Sequence, residues 1–360
     1  MNFKSPNRDM RSCKFILLFA TTFILSLSIV FLANFILDPN GQYLNKFYFY
    51  ESYLADQLIK YKNIALSPGS YNDRKFIEFY TVKSKYKPNL IIVGSSVSQE
   101  ISSEFLSTRL LNLSLAGSTI EDIIAISTLV LNENNYKINN IIIGIDYKML
   151  TQDSEIISKY CSLKNIFPDV DKNLKINLGR DCDFQVNKIT GIFSISLLKQ
   201  SVGQIIKYLY HNTVGIPHDI SAERLKKYYI INKDGSAVFD LVHHDNLAVN
   251  NFDRNYISSS HFISEFKLEQ LRILINYLSS KEITTTVYLA PISPSLWSKR
   301  SNNYLLLNEK KIIAKLSKTP NTKIFGSFNP EAVNCSPKEF HDTGHAKLDC
   351  IKKALSKNNI

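Results

Sequence analysis

Three short segments of this 360-residue chain carry residue types able to activate a nucleophile. The first is Gly94-Ser95-Ser96-Val97-Ser98, directly after the apolar run Asn89-Leu-Ile-Ile-Val93. A serine at a strand-to-helix turn stands exposed, with its own backbone N–H free to stabilise an oxyanion. The fifth position is Ser98, so this is not a Gly-x-Ser-x-Gly elbow, and Gly and Ser are also ordinary loop residues. The second segment is Asn112-Leu-Ser-Leu-Ala-Gly117. A glycine before a helix lets the backbone approach a ligand, and the helix N-terminus favours developing negative charge. Taken singly, such a glycine is a plain helix-entry turn. The third is Phe340-His341-Asp342-Thr343-Gly344-His345. Two residues between Asp342 and His345 let both side chains meet on one face. The carboxylate then holds one imidazole nitrogen while the other accepts a serine proton. Metal binding by His341, Asp342 and His345 is a competing reading, although a further ligand cluster is missing and His243-His244 falls in a segment of uncertain place. A surface Asp/His loop without a role is the third.

The elements that must position these residues alternate. Buried-type strands are expected at 89–93, 111–113, 141–143, 285–289 and 323–325. A helix is expected from Ser118, with Ile120, Ile123, Ile124, Ser127 and Leu131 on one face and Glu121 and Asp122 in its first turn. Phe262, Phe266, Leu268, Leu271, Leu274, Ile275 and Leu278 mark an amphipathic helix, Tyr304–Leu316 another, and a last helix follows His345. Near-continuous apolar strands alternating with helices predict an α/β fold with a parallel sheet covered on both faces. Sites in such sheets form at the carboxyl ends of the strands. Residues 150–255 break the rhythm and read as an insertion. They hold two cysteines, an apolar helix-like run near 191–209, and a Lys233-Asp-Gly235 turn between the strand-like runs 229–231 and 237–239.

Residues 15–37 form 23 uncharged, mostly apolar positions, about 35 Å of helix against a hydrocarbon core of about 30 Å. The run is too long for a signal-peptide core, and Phe35-Ile-Leu-Asp-Pro39 offers no small-x-small cleavage site, so a retained transmembrane helix is expected. Lys4, Arg8, Arg11 and Lys14 precede it against Asp9 alone, which predicts a cytoplasmic tail at 1–14 and an extracytoplasmic remainder. Residues 38–85, rich in Tyr, Phe and Lys with a Ser-Pro-Gly at 67–69, read as a juxtamembrane stem of short helices lying on the main domain, 86–360. The net charge of +11 is spread without a dense Lys/Arg block. With export, this argues against nucleic acid as a partner and fits anionic headgroups, acidic glycans or plain solubility. Four cysteines lie beyond the helix, and sequence proximity favours Cys161–Cys182 and Cys335–Cys350, as an oxidising compartment allows. Four reduced, buried thiols are the alternative.

Together, the three segments resemble the blocks of the SGNH, or GDSL-like, hydrolase superfamily. Gly94-Ser95-Ser96 matches its Gly-Asp-Ser, Asn112 and Gly117 match its second block, and Asp342-Thr-Gly-His345 matches its last. The third block departs, because Gly144-Ile145-Asp146-Tyr147 puts Asp146 where the family has an oxyanion-binding Asn. The resemblance implies a three-layer, flavodoxin-like sandwich around a mostly parallel sheet. It makes Ser96 the nucleophile, His345 the base and Asp342 its orienting acid, with an oxyanion hole from Ser96 and Gly117 and with Asp146 at the position of the family's third donor. No metal or organic cofactor is implied. The Gly-Ser-Ser variant behind an N-terminal anchor, with Asp38-Pro39 just outside it, is similar to envelope proteins related to alginate O-acetylation and lipoteichoic D-alanylation factors. That likeness implies an anchored periplasmic esterase or O-acyltransferase of the inner membrane. It would act on an acylated envelope polysaccharide beside a membrane-bound acyltransferase. The rival expectation is a catalytically silent domain that binds glycan or scaffolds an envelope complex.

Overall fold

The computed structural model describes residues 7–37, 48–66, 71–133, 137–151, 160–179, 182, 193, 195–214, 216, 229–238, 262–300 and 304–356. Asp38-Pro39, the Ser-Pro-Gly at 67–69, His243-His244 and much of the insertion lie outside the described residues.

Helix α1 (Asn7–Leu37) contains one stretch, Cys13–Ile36, that is long and apolar enough to cross a membrane. Four of its hydroxyls need no outside partner. The hydroxyls of Thr21, Thr22, Ser26 and Ser28 each donate to the carbonyl four residues earlier. That local bond is what a hydroxyl requires in a solvent without water.

The sequence then gives α2 (Phe49–Lys60), β1 (Asn63–Leu66), α3 (Asp73–Lys83), β2 (Leu90–Gly94), α4 (Ser103–Leu106), β3 (Leu110–Asn112), α5 (Ile120–Asn132) and β4 (Asn140–Ile145). Next come α6 (Phe167–Leu174), α7 (Ile195–Val214), β5 (Tyr229–Asn232), β6 (Ala237–Val238), α8 (Glu265–Ser280) and β7 (Thr284–Leu289). The chain closes with α9 (Pro294–Arg300), α10 (Tyr304–Leu316), β8 (Thr322–Gly326) and α11 (Leu348–Ser356). Five strands form a wholly parallel sheet in the order β3-β2-β4-β7-β8. Successive strand residues face opposite sides. Thus Ile91, Val93, Ile141, Ile143, Val287 and Leu289 join one apolar cluster with α3, α5 and α8. Leu90, Ile92, Ile142, Tyr288 and Phe325 join a second with α11. Burial on both faces is why these strands read as unbroken apolar runs.

Three local expectations change. Helix α5 is buried nearly all round, Ala125, Ile126 and Thr128 included, while Leu131 is half-exposed. It is packed between the sheet, α3, α6 and α8, so its one-faced spacing understates its environment. Leu268 is buried as its spacing predicts, but Phe262 and Phe266 are exposed, and Lys267 and Gln270 are buried beside Leu268 instead. Lys267 is tolerated there because its Nζ donates to the Thr151 carbonyl at 3.0 Å. The segment read as a stem of helices also contains β1, which pairs antiparallel with β5. Its Ile64 and Leu66, with Leu54, Leu58, Phe76 and Tyr80, enter the same cluster as the parallel sheet.

The insertion is tied to that sheet through its hairpin. β5 and β6 pair antiparallel around the Lys233-Asp-Gly235 turn. The Asn112 N–H at the end of β3 donates to the Asp234 carbonyl at 2.7 Å, and the Ser103 N–H donates to the Asp234 carboxylate at 2.6 Å. A Cβ at residue 235 would lie 2.1 Å from the Asn112 carbonyl oxygen, so only glycine fits this approach. Both cysteine pairs are bonded, Cys161–Cys182 and Cys335–Cys350, and Cys13 is a free, exposed thiol.

Candidate active site

The strand order reverses at β2, whose neighbours β3 and β4 are reached in opposite directions. A crevice opens at such a point beyond the carboxyl ends of the strands. Ser96 follows β2 and Asp146 follows β4, so both stand at that crevice. Ser96 opens a single 3-10 turn, Ser96–Ser98. The turn sits close on the sheet because Gly94 and Gly144 are paired across β2 and β4. A Cβ at Gly144 would lie 2.4 Å from the Ser98 Oγ, and one at Gly94 would lie 2.6 Å from it. Ser98, fully buried, bonds the Ser95 carbonyl and the Ser114 hydroxyl. The Asn112 amide donates to the carbonyls of Ser98, at 2.8 Å, and Ile101, at 2.9 Å. Its oxygen accepts from the Ser114 N–H. Asn112 therefore fastens the turn that begins at Ser96 to the next strand end.

Gly117 lies at the turn before α5 with φ +60°, a conformation that favours glycine, and is exposed. The Leu115 N–H donates to the Gly94 carbonyl at 2.9 Å, which brings this turn to the end of β2. Helix α5 begins there because Thr119 and Asp122 form a reciprocal capping box. Arg74 of α3, almost wholly buried, grips the same place. Its Nη2 donates to the Gly117 carbonyl at 3.2 Å and to Asp122 at 2.7 Å, and its Nε donates to Asp122 at 3.0 Å.

The third segment meets the first. Ser96 Oγ lies 2.8 Å from His345 Nε2, and His345 Nδ1 lies 2.8 and 2.9 Å from the two carboxylate oxygens of Asp342. Asp342 also folds its own loop, since its Oδ1 accepts the N–H groups of Gly344 and His345. The Cys335–Cys350 bond closes the segment that carries both residues. Burial alone would push the His345 imidazole down. The hydrogen bond and charge of Asp342 outweigh it, and the charges of Asp146 and Glu100 add to them, so its pKa is raised. Burial would conversely raise Asp342, but the His345 hydrogen bond and charge, with the two N–H donors, hold it below the usual range. Ser96, His345 and Asp342 thus form a hydrogen-bonded chain whose geometry would let the imidazole accept the serine proton.

Neither models of known protein families nor curated protein sequences match this chain.

His341 and His345 do not converge on a shared point with Asp342. His341 Nε2 faces Glu100 at 2.8 Å, while both nitrogens of His345 are engaged by Ser96 and Asp342. Among the described residues no cluster of His, Cys, Asp or Glu is arranged to hold a metal ion. Asp146 accepts the N–H groups of Lys148 and Met149 on one carboxylate oxygen, at 2.9 and 3.0 Å, and so caps the turn after β4. Two contributors escape sequence reasoning. Glu100 joins the segment after the Ser96 turn to the His345 loop through a partner 241 positions away. Arg74 lies in the segment read as a stem. No local spacing marks either one.

Proposed function

We propose that this chain is an anchored acyl esterase or O-acyltransferase of the SGNH type, a three-layer sandwich acting on acyl esters of an extracytoplasmic envelope glycan. The observation that carries the reading is the Ser96–His345–Asp342 relay at 2.8 Å for each link. Its placement at the crevice beside β2 and the order of the three segments along the chain agree with it. Ser96 Oγ attacks the acyl carbonyl as His345 Nε2 takes its proton. The N–H groups of Ser96 and Gly117 receive the oxyanion. Collapse expels the alcohol, which takes the proton from His345. Water or a glycan hydroxyl then attacks the acyl-serine, loses its proton to His345, and releases the acid or the new ester together with Ser96. A membrane acyltransferase is the proposed source of acyl groups where transfer prevails.

In the test, a fluorophosphonate is applied to the full chain in detergent. It should form an adduct on the peptide containing Ser96. Unmodified Ser96 in well-folded protein would defeat the catalytic reading. One observation favours a second reading, a silent glycan-binding scaffold: Asp146 places a carboxylate near the imidazole where the family has an amide donor, and a carboxylate opposes a developing oxyanion.

The basic N-terminal flank further supports a chain with its tail inside, its α1 in the inner membrane and its domain in the periplasm. Both disulfides require an oxidising compartment. Mass spectrometry of unreduced protein taken from its native membrane should find Cys161 linked to Cys182 and Cys335 to Cys350. Four alkylatable thiols there would place the domain on the reducing side and reverse the topology.

A further inference from the structure

Helix α7 presents an apolar face that nothing in the described structure covers. Ile195, Val202, Ile206 and Leu209 recur at helical spacing along one side and are all exposed, from 44 to 68 %. On the opposite side, Leu197 is buried and Tyr208 and His211 are half-buried. The helix has no acidic residue, and its two lysines, Lys199 and Lys207, are exposed.

Its position identifies what lies against that face. Phe193, two residues before α7, has its ring 5.6 Å from that of Phe31 in α1. With Phe31 it lines a groove alongside Ile24, Leu27, Ser28 and Leu32. Those residues lie inside the Cys13–Ile36 span, and Phe31 is about 8 Å of helix short of its end. At the other end of α7, Tyr208 packs on Phe49 and Tyr53, and the Tyr53 hydroxyl donates to the His211 carbonyl at 2.8 Å. The helix therefore runs from the depth of the anchor up to α2. The side chains of α1 at that depth are exposed around it, so whatever solvates α1 also meets the first half of α7.

We propose that the first half of α7 is a second membrane contact, seated in the outer leaflet of the bilayer that α1 spans, with Ile195 and Val202 against lipid chains. This inference rests on the reading of α1 as a membrane anchor. An apolar stripe with basic residues and no acids is the pattern of an interfacial helix. Lys199 and Lys207 have stems long enough to carry their charges up to the headgroups. Attachment through both helices fixes the tilt of the catalytic crevice over the membrane.

The test uses the full chain with Cys13→Ser, so that a single introduced thiol carries an environment-sensitive fluorophore. Labels are placed by Ile195→Cys, Val202→Cys, Ile24→Cys within α1, and Glu331→Cys on the exposed surface of the domain. The protein is reconstituted in nanodiscs of phosphatidylcholine and phosphatidylglycerol. Labels at residues 195 and 202 should show blue-shifted emission and lose most of it to nitroxides on the lipid chains, as at 24, while iodide quenches only 331. Iodide quenching at 195 and 202 with lipid quenching at 24 overturns the proposal and leaves the anchor standing. Protection at 195 and 202 from both quenchers overturns it in favour of a protein partner or a second copy. Iodide quenching at 24 as well removes the anchor, and the proposal with it.

Discussion

Replacing His345 by alanine should slow fluorophosphonate capture at Ser96 by about a thousandfold or more, the scale on which serine hydrolases depend on their base. Among the described residues the hydroxyl has no other partner positioned to take its proton, because Glu100 is turned to His341 and Asp146 to the turn after β4. Asp342→Asn should cost nearly as much. Its amide can still accept the N–H groups of Gly344 and His345, so the loop survives, but the imidazolium loses its carboxylate and its tautomer. The pH dependence follows from the raised His345 pKa. Only the neutral imidazole accepts a proton, so the capture rate climbs as pH rises through a value above the ordinary 6.5 or so. Removing a nearby negative charge destabilises the imidazolium, so Glu100→Gln and Asp146→Asn should each move that limb to lower pH. The asparagine at 146 retains an oxygen to cap its turn, and it offers an amide donor should the oxyanion form there. Hydrolysis of small acetyl esters then rises as well. A limb unmoved by both variants, with capture intact in His345→Ala, would remove His345 from the role of base.

How far residues could be read from the chain alone depends on how local their partners are. Strands β2, β4 and β7 stand out because burial on both faces demands unbroken apolar runs, and the β5–β6 hairpin is visible through its Lys-Asp-Gly turn. Asp342 and His345 are three positions apart, so their spacing encodes their contact, and the cysteine pairing follows from proximity for the same reason. Strand β1 is only four residues long and acquires its identity from β5, far along the chain, which leaves nothing periodic to recognise. The periodicity around α8 assigns Phe266 inward, but the helix turns Lys267 and Gln270 to the buried side, where a carbonyl is available for the ammonium. Asn112 can be matched to a motif, yet its work of bonding the carbonyls of Ser98 and Ile101 emerges only when β3 lies beside β2. Glu100 and Arg74 belong to the same class: their chemistry is set by elements that tertiary structure alone brings together.

The larger effect on stability should come from Arg74→Met. Arg74 and Asp122 are 2 % and 0 % exposed, and the guanidinium bridges both carboxylate oxygens at 3.0 and 2.7 Å. Burial opposes its charge, but Asp122 and Asp73 outweigh that and hold it firmly protonated. Methionine fills similar space and leaves the Asp122 charge buried without its partner, a change that costs about 3–5 kcal/mol. Unfolding of the full chain in detergent, followed by the single tryptophan, Trp297, reads this as a lower denaturant midpoint at unchanged slope. Adding Asp122→Asn to Arg74→Met should recover part of the loss, because the uncompensated charge is gone while the amide oxygen still accepts the Thr119 N–H. Arg74→Lys separates stability from positioning. An ammonium keeps the charge opposite Asp122 but cannot also span to the Gly117 carbonyl in the planar fork that Arg74 uses. Stability should therefore return more fully than the rate of Ser96 capture, since the turn carrying the Gly117 N–H has lost its brace. A loss below about 1 kcal/mol in Arg74→Met, within reach of ordinary surface substitutions, would mean that this pair does not hold the two segments together.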